Sequence, residues 1–517
     1  PNPQLDIFTA PSMQLGSRAS KKYSDPNAWH NQFYSLVTTK IDEEIFKPLF
    51  PEGKKSGRPN ASIRILVAMS VLKEGFGCSD EDLFEKCEFD LLTRKALGLE
   101  LLTDVTPSID TYYLFRRRIC EYQERTGIDL MQLCFEQLAG KHVHLLKISG
   151  KCVRMDSKLI GSNIARQSRY ELIHTTLLKF LKTCMLTHLS PEQEERAKEY
   201  LKEDSSKTVY RSDSDTLQSN LAGIGNFIME MLAVFPATSP AHDLLQRLFD
   251  EQYVVMDGKA VLRDKKEVKA DSLQNPNDPD ATYRAKNDQK VQGYVTNITE
   301  TVEEGKPNII TSVQVETAVF ADCHFLQKAV ENSERVTDST IEDLYADGAY
   351  QSPDNREFAK NHNAMRLKTG KMQGGCRWEL IPHDEDGLTI REIATGNTYE
   401  AVKAVTKQGS RKRWRIPWNN KTGWRYFEDK DIKAYQLRKQ IESLPLEEQH
   451  KRNNVEAAMF QYSFHTRNDK TRYRGLLKHR MHAYSRCMWM NLRWMVIFQI
   501  STFQRSIFAL FGSIREA

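Results

Sequence analysis

The sequence lacks the features that mark secreted, zinc-ribbon and membrane proteins. Its nine cysteines include no Cys-x-x-Cys pair, which argues against a zinc ribbon or a disulfide framework and predicts reduced thiols. The longest apolar stretch, residues 488–511, is interrupted by Asn491, Arg493 and Arg505, so it predicts buried amphipathic helix and not a membrane span. No basic segment followed by an apolar one opens the sequence. We therefore expect a cytoplasmic protein with no membrane partner.

Positive charge is only in slight overall excess, since the net charge is +5. An excess of that size does not by itself imply a polyanionic partner. The distribution says more, because residues 403–425 contain eight Lys and Arg and no acid, and residues 451–493 contain ten against two acids. Local blocks of this kind predict phosphate-binding surface.

Helical signals dominate the N-terminal part of the chain after a first forty residues that we expect to be extended. A capping box of Ser79 with Asp82 and a Thr-Pro-Ser start at Ser108 predict short helices, the last of which carries the run Arg116–Arg118. Short helices with a Gly turn and a terminal Arg cluster resemble a helix-turn-helix DNA reader. A plain helical bundle with a solvated basic end is the alternative, and the pattern does not decide between them.

Three acids are candidates for a metal site. Asp156 and Asp347 stand at the ends of short β segments, and Glu456 stands in a basic helix. Side chains at strand ends meet at the edge of a sheet, and a helix packed across the sheet can aim a third carboxylate at the same point. Three carboxylates can hold two divalent cations for attack on a phosphodiester, and hard oxygen ligands suit Mg²⁺ or Mn²⁺. On local pattern alone Asp257 is a competing candidate.

A set of motifs in a fixed order gives the sequence its resemblance to a known family. The motifs are MDSKLIGSNIA at 155–165, DPDATYRAK with GYVTNITE at 278–300, YADGAYQS at 345–352, RNNVEAAMFQ at 452–461 and TRYRGLLKHR at 471–480. Together with the helical N-terminal region they resemble bacterial insertion-sequence transposases of the DDE type, in the broad IS-four and IS-five superfamily. In order and rough spacing the resemblance covers about residues 30 to 500.

The resemblance implies an activity, cofactors and partners. It implies a DDE transposase in which Asp156, Asp347 and Glu456 are catalytic and hold two Mg²⁺ or Mn²⁺ ions. Its partner would be double-stranded DNA, both the terminal inverted repeats of a transposon and the target. It also implies a homodimer on DNA, located in the bacterial cytoplasm at the nucleoid. The chain would cut transposon ends and join their 3′ hydroxyls to target DNA.

Two other functions stay open on the sequence alone. A domesticated DNA-binding protein could keep the fold without cutting, although the presence of all three acids argues against it. A metal-dependent nuclease without strand transfer is the second alternative.

The sequence departs from the Tyr-x2-Arg-x3-Glu-x6-Lys signature of many relatives. Arg452 precedes Glu456 by one helical turn, where it would neutralise the carboxylate or contact DNA phosphate, but Gln449 and Ser463 occupy the Tyr and Lys positions. A surface ion pair between Arg452 and Glu456 is the alternative. The role of the missing Lys could pass to a basic residue further on, namely Lys470, Arg472 or Arg474.

The segment 407–427 interleaves basic residues, among them Arg411 and Arg413, with aromatic ones, among them Trp414. One interpretation is a DNA-binding surface that follows phosphates and stacks on unpaired bases. The other is a small β subdomain whose Trp residues form its core. Some relatives carry a Cys-rich zinc-binding insert in this region, but only Cys376 stands here, so we expect no zinc.

The expected fold class is α/β, with an RNase H-like mixed sheet flanked by helices. An N-terminal helical DNA-binding domain is expected at 1–140, and the catalytic core at 141–164, 286–373 and 429–517, the last part carrying the Glu456 helix. A mainly helical insertion is expected at 165–285 and a β-rich basic insert at 374–428. The expected DNA contacts are Arg116, Arg117, Arg411, Arg413, Trp414, Arg452, Lys470, Arg472 and Arg474.

Overall fold

A computed structural model describes residues 10–50, 61–185, 188–235, 239–286, 289–369, 376–383, 387–404, 413–418, 423–443, 445, 448, 451 and 455–515, with backbone alone for 418 and 502–515. The chain divides into two compact units. Unit one comprises Pro1–Gly150, Ser157–Ser339 and Ala458–Ala517, and unit two comprises Lys151–Asp156 and Thr340–Ala457. Both contain helices and strands, so the protein is a mixed α/β protein.

The N-terminal part of unit one is helical. Its helices are α1 Pro11–Gln14, α2 Ser17–Tyr23, α3 Trp29–Leu36, α4 Ile63–Phe76, α5 Asp80–Phe89, α6 Leu91–Leu97, α7 Ile109–Thr126 and α8 Leu130–Leu146. The predicted capping box is confirmed, because Ser79 Oγ accepts from the Asp82 N–H and the Asp82 carboxylate accepts from the Ser79 N–H. Gly77 ends α4 with φ +66°, in the left-handed region that glycine adopts without strain.

One expectation for this region is wrong. The first forty residues are not extended, because α1 to α3 occupy most of residues 11–36. Each of these helices is only four to eight residues long, too short to show a repeated apolar face in the sequence.

The middle of unit one is also mainly helical, as the periodicity of this segment predicts. It contains α9 Arg169–Leu181, α10 Pro191–Lys202, α11 Ser205–Arg211, α12 Ser214–Val234 and α13 Pro240–Gln252, followed by the hairpin of β2 Tyr253–Met256 and β3 Lys259–Leu262. These elements bury a hydrophobic core of their own, with Ile224, Phe227 and Leu245 fully enclosed. Asp257 is an exposed residue of the tight hairpin turn, with φ +49°.

The strands of unit one form an antiparallel ladder. β4 Thr282–Lys286 pairs with β5 Gln289–Thr301, and β5 pairs with β6 Ile310–Thr317. Two helices, α14 Leu326–Thr337 and α18 Leu476–Arg515, pack against β6, and α18 also packs on α4 and α8. The N-terminal helices and β5 and β6 therefore share one core. Within the described ranges, no helix combines the length and apolar character needed to cross a membrane.

Parallel strands organise unit two. Strand β1 Cys152–Gly161 is divided between the units, since its residues 152–156 belong to unit two and its residues 157–161 to unit one. In unit two β1 pairs in parallel with β7 Asp343–Ala346, which pairs in parallel with β8 Arg366–Thr369. Helix α15 Pro353–Asn361 connects β7 to β8, and it begins where Ser352 Oγ accepts from the Asn355 N–H at 3.0 Å.

The rest of unit two is a small β-rich subdomain, in agreement with the β-rich segment predicted at 374–428. One antiparallel sheet contains β9 Trp378–Pro382, β10 Leu388–Glu392 and β11 Thr398–Glu400, and a second contains β12 Val402–Ala404, β13 Arg413–Trp418 and β14 Gly423–Glu428. Helix α16 Asp429–Glu442 follows, and α17 Val455–Ser463 comes next among the described helices. Trp378, Ile390, Ile416 and Phe427 lie in the core of this subdomain.

Candidate active site

Asp156 and Asp347 occupy equivalent positions on neighbouring parallel strands. β1 pairs with β7 from Cys152 opposite Asp343 to Arg154 opposite Tyr345, and Asp156 and Asp347 each lie two residues beyond the last of these pairs. Neighbouring strands of a sheet lie about 4.8 Å apart. The two predicted acids therefore lie at the same end of the paired stretch of β1 and β7.

The local setting of the two aspartates differs from the expectation in one respect. Asp156 is an interior residue of β1 and not its last residue, because β1 continues to Gly161. Asp347 does follow the end of β7, in an extended conformation, and its Oδ1 accepts from the Gly348 N–H at 2.6 Å. Both side chains are half-buried, so both are within reach of solvent and of a ligand.

The sheet face that bears the aspartates also contacts the chain segment that leads to Glu456. Arg154 and Lys368 lie on this face, both opposite Tyr345. Arg154 Nη1 donates to the Lys451 carbonyl oxygen at 2.9 Å, and Lys368 Nζ pairs with the Glu448 carboxylate at 2.8 Å. The segment before α17 therefore lies against the same face as Asp156 and Asp347.

Glu456 lies in the first turn of α17 and is exposed. The buried apolar positions of this helix are Val455, Ala458, Met459 and Tyr462. At the end of α17, Ser463 Oγ accepts from Lys158 Nζ at 2.6 Å, and Lys158 follows Asp156 by two residues on the same face of β1. The chain on either side of Glu456 thus contacts β1 two residues before Asp156 and two residues after it.

The three acids do not form a ready metal cage. Across the part of the chain that the structure describes, no group of three or more His, Cys, Asp or Glu side chains is arranged to hold a metal ion. Asp156 and Asp347 lie at the same end of the β1–β7 pairing, and Glu456 is not gathered with them into such a group. The single cysteine of the β-rich segment, Cys376, donates its Sγ hydrogen to the Trp378 carbonyl oxygen at 2.9 Å.

The basic residues after α17 hold backbone segments in place. Lys470, Arg472 and Arg474 each donate a hydrogen bond to a main-chain carbonyl, and the two arginines are also exposed. The acceptors are Ile164 O at 2.8 Å, Gly77 O at 2.7 Å and Asn163 O at 2.7 Å, respectively. These residues therefore fasten the segment to the end of β1 and to the turn after α4. Arg452, the other predicted contact near Glu456, lies outside the described residues.

Arg116 and Arg117 differ in their surroundings although they are adjacent on α7. The Arg116 guanidinium lies between two aromatic rings, 5.5 Å from the centre of Tyr112 and 5.1 Å from that of Tyr473, and 3.9 Å from the Asp80 carboxylate. Its side chain is 15% exposed, against 68% for Arg117. Arg116 is therefore held rigidly at the surface edge, and Arg117 extends into solvent where it can contact a partner.

Comparison with known families identifies the N-terminal region. Residues 22–118 match a family model described as a transposase domain (DUF772). This part of the chain is therefore similar to a transposase domain. The match supports an insertion-sequence transposase, and DNA is the partner on which a transposase acts. No curated protein and no solved structure matches the chain.

The transposase domain covers α3 to α6 and the first part of α7, so it includes Arg116 and Arg117. A buried acid joins it to the C-terminal segment, since Glu74 Oε2 accepts from His482 Nδ1 at 2.7 Å and Glu74 Oε1 accepts from the Tyr473 hydroxyl. Burial opposes ionisation of Glu74, but these partners and Lys73 outweigh it and lower its pKa to about 2.

The basic insert divides its residues between two faces. Strand register alternates sides along β13, so Trp414 and Ile416 point to one face, with Phe427 of β14 directly opposite Trp414. All three are buried, and Trp414 is only 3% exposed. The ring of Trp414, a predicted DNA contact, is therefore part of the core and has no face open for base stacking.

The opposite face of the insert is a surface of cation and aromatic pairs. The Arg413 guanidinium lies 4.0 Å from the centre of the Tyr426 ring, and that of Arg415 lies 4.3 Å from Trp424. Trp424 and Tyr426 are 48% and 41% exposed. This is the geometry of cation–π contact, and it leaves aromatic surface open to solvent. Arg411, predicted with this group, lies outside the described residues.

Two basic residues, Lys158 of β1 and Arg415 of β13, were not predicted from the sequence. Lys158 was not considered, although its position two residues after Asp156 would have placed it on the same strand face. Arg415 was not singled out, although alternation with Trp414 and Ile416 is the signal of an outward-facing strand position. At position 463, where the resemblance expects a Lys, the cation near the hydroxyl is that of Lys158.

Proposed function

We propose that this chain is a DDE transposase that binds the ends of its transposon, cleaves them and joins them to target DNA. One observation carries the proposal: in a chain whose N-terminal region matches a transposase domain, Asp156 and Asp347 each lie two residues beyond the last register pair of the adjacent parallel strands β1 and β7. Two carboxylates at the same end of adjacent parallel strands can act as metal ligands for phosphodiester chemistry. Glu456 is the third acid of the proposal.

The strand arrangement supports an RNase H-like core. In unit two β1 pairs in parallel with β7 and β7 with β8, and in unit one β5 and β6 form an antiparallel ladder. In this proposal Asp156 lies on the central strand and Asp347 on the next parallel strand. The helical and β-rich segments are then insertions in the core.

The residues present suit hard divalent cations such as Mg²⁺ or Mn²⁺. Asp156 and Asp347 offer carboxylate oxygens on a half-buried face, which is the donor type that these ions prefer. Glu456 would complete the ligand set from α17, whose flanking contacts with Arg154 and Lys158 hold it along β1. When bound, two such ions would activate the attacking oxygen and stabilise the leaving oxygen.

The protein's own groups position the DNA. No covalent protein intermediate is required, because water first attacks the end phosphodiester and the 3′ hydroxyl so released attacks target DNA. The exposed Arg and Lys residues near the acids would neutralise the phosphates next to the reacting bond. Two transposon ends must be joined to one target, so we propose a homodimer on DNA as the working unit.

The experiment is cleavage of a plasmid that carries the DNA flanking this gene, with Mg²⁺ or Mn²⁺ and with EDTA. Asp156→Asn, Asp347→Asn and Glu456→Gln should each lower cleavage about a thousandfold, because a ligand to a catalytic ion contributes several kcal/mol. Asp257→Asn, in the exposed turn of the β2–β3 hairpin, is the matched control and should cleave like the wild type. Wild-type cleavage by Asp347→Asn would contradict the proposal.

The products separate the remaining functions. Flanking DNA joined to a second plasmid supports strand transfer. Cleaved ends that are never joined indicate a metal-dependent nuclease, and binding without cleavage in any divalent cation indicates a DNA-binding protein that no longer cuts.

A further inference from the structure

A groove with a cavity volume of about 810 Å³ lies within unit one, between α7 and the segment that starts at Arg472 and continues into α18. Cavities of this size accept ligands larger than a single small anion. Its walls come from parts of the chain that are more than 350 residues apart, one wall from the transposase domain and the other from the basic tract after the Glu456 helix.

The rim of the groove is cationic. Arg117 on one wall and Arg472 and Lys478 on the other are all exposed. Arg117 has a weak partner in Glu121 at 3.4 Å on the same helix. Within the described ranges neither Arg472 nor Lys478 has a carboxylate within ion-pair distance. The lining also contains two acids, Asp80 and Asp110, against the four cations Arg116, Arg117, Arg472 and Lys478, so the groove carries a net positive charge.

The floor of the groove is ordered before any ligand binds. Arg116 is held between the Tyr112 and Tyr473 rings, and Asp80 below it is already paired with Lys73 Nζ at 2.5 Å. The Arg472 guanidinium is fixed by its hydrogen bond to the Gly77 carbonyl. Binding of an anion here loses little side-chain freedom, which favours affinity.

We infer that this groove is a single binding surface for the phosphate backbone of duplex DNA, shared by the transposase domain and the C-terminal basic tract. The inference rests on the proposed function for the identity of the ligand. In the sequence, Arg116 and Arg117 belong to a helix that resembles a DNA reader, whereas Arg472 and Arg474 are candidates for the role of the missing Lys near Glu456. The shared groove instead makes Arg117, Arg472 and Lys478 contacts to one DNA segment.

The test measures binding of a fluorescent duplex from the DNA flanking this gene, by anisotropy in EDTA and over a range of salt concentrations. Arg117→Ala and Lys478→Ala remove one rim cation each and no main-chain contact. The slope of log affinity against log salt is negative, and each variant should make it shallower by about 0.9, and the double variant by about 1.8. The matching loss of affinity at 0.1 M salt is about eightfold for each lost contact.

Arg125→Ala is the control, because Arg125 is an exposed cation two turns further along α7 and does not line the groove. Its salt slope should equal that of the wild type. Unchanged slopes in the Arg117 and Lys478 variants, with wild-type unfolding midpoints, would overturn the inference, as would an equal loss in Arg125→Ala.

The binding assay also separates this inference from the proposed chemistry. Cleavage by the wild type together with unchanged slopes in the rim variants overturns the groove alone. Reduced slopes in a protein that never cleaves DNA support the groove and count against the cleavage chemistry.

Discussion

Neutralising Glu74 should destabilise unit one in a way that depends on pH. Glu74 lies in α4 and is buried, and its carboxylate accepts from His482 and Tyr473 of the C-terminal segment. Its pKa is lowered from 4.5 to about 2 because His482, Lys73 and Tyr473 outweigh the desolvation that opposes its charge. Ionised Glu74 is therefore more favourable in the folded protein than in the unfolded chain.

The size of the effect follows from the difference between the folded and unfolded pKa of Glu74. A tenfold change in an acid dissociation constant corresponds to about 1.36 kcal/mol, so lowering the pKa from 4.5 to about 2 stabilises the folded state by about 3 kcal/mol at neutral pH. Because the folded pKa is the lower one, this contribution is complete above the unfolded value of 4.5 and is lost as the pH falls toward 2. By the same relation about 1 kcal/mol should remain at pH 3.

The assay is urea unfolding of the wild type and Glu74→Gln at pH 7 and pH 3, followed by tryptophan fluorescence. Glu74→Gln resembles the protonated acid in shape and charge, so it should lower the free energy of unfolding by about 3 kcal/mol at pH 7 and by less than half of that at pH 3. Glu85→Gln, an exposed acid on α5, is the matched control and should change little at either pH. A loss at Glu74 that is equal at both pH values would refute the electrostatic origin of the effect.

Two further substitutions test how β5 and β6 are held in unit one. Gly293→Ala should destabilise the protein by about 3 kcal/mol, because the added Cβ would overlap the Ile160 carbonyl oxygen and the Ser162 nitrogen, which are backbone atoms and cannot rotate away; a wild-type urea midpoint would contradict the close approach. Asn491→Ala should cost about 2 to 4 kcal/mol in the same assay, because the buried Asn491 amide pairs with both the N–H and the carbonyl of Ile310 at 2.7 and 3.0 Å. Asn491→Asp keeps only the acceptor, so an Asp variant as stable as the wild type would show that the donor contact is unimportant.

Local sequence signals were sufficient to predict those elements that depend only on neighbouring residues. The capping box at Ser79 and the helix start at Ser108 were both predicted and are both present. Each depends on residues within about three positions of one another. The helices α1 to α3 were missed because fewer than three turns show no clear apolar period.

The candidate site could be predicted only in part, since its geometry depends on distant pairings. No local pattern shows that β1 pairs with β7, because about 190 residues separate the two strands. The resemblance to a family supplied that pairing of acids. The groove between Arg117 and Lys478 is likewise a product of tertiary packing, so the sequence alone suggested separate functions for its two walls.

The basic insert has a buried face with a Trp core and an exposed face of basic and aromatic side chains, so each of the two interpretations of its sequence applies to one face. Trp414 lies in the core and Trp424 on the opposite, exposed face of the same two-strand ladder. Trp414→Ala should therefore lower the free energy of unfolding by about 3 to 5 kcal/mol, the usual cost of removing a buried aromatic side chain. Trp424→Ala should leave unfolding nearly unchanged but weaken binding of a single-stranded oligonucleotide by about 1 to 3 kcal/mol, the contribution of one stacked base. Both variants should be measured by urea unfolding, for stability, and by fluorescence anisotropy, for oligonucleotide binding. A Trp424 variant that binds like the wild type would mean that the exposed cation and aromatic pairs do not contact unpaired bases.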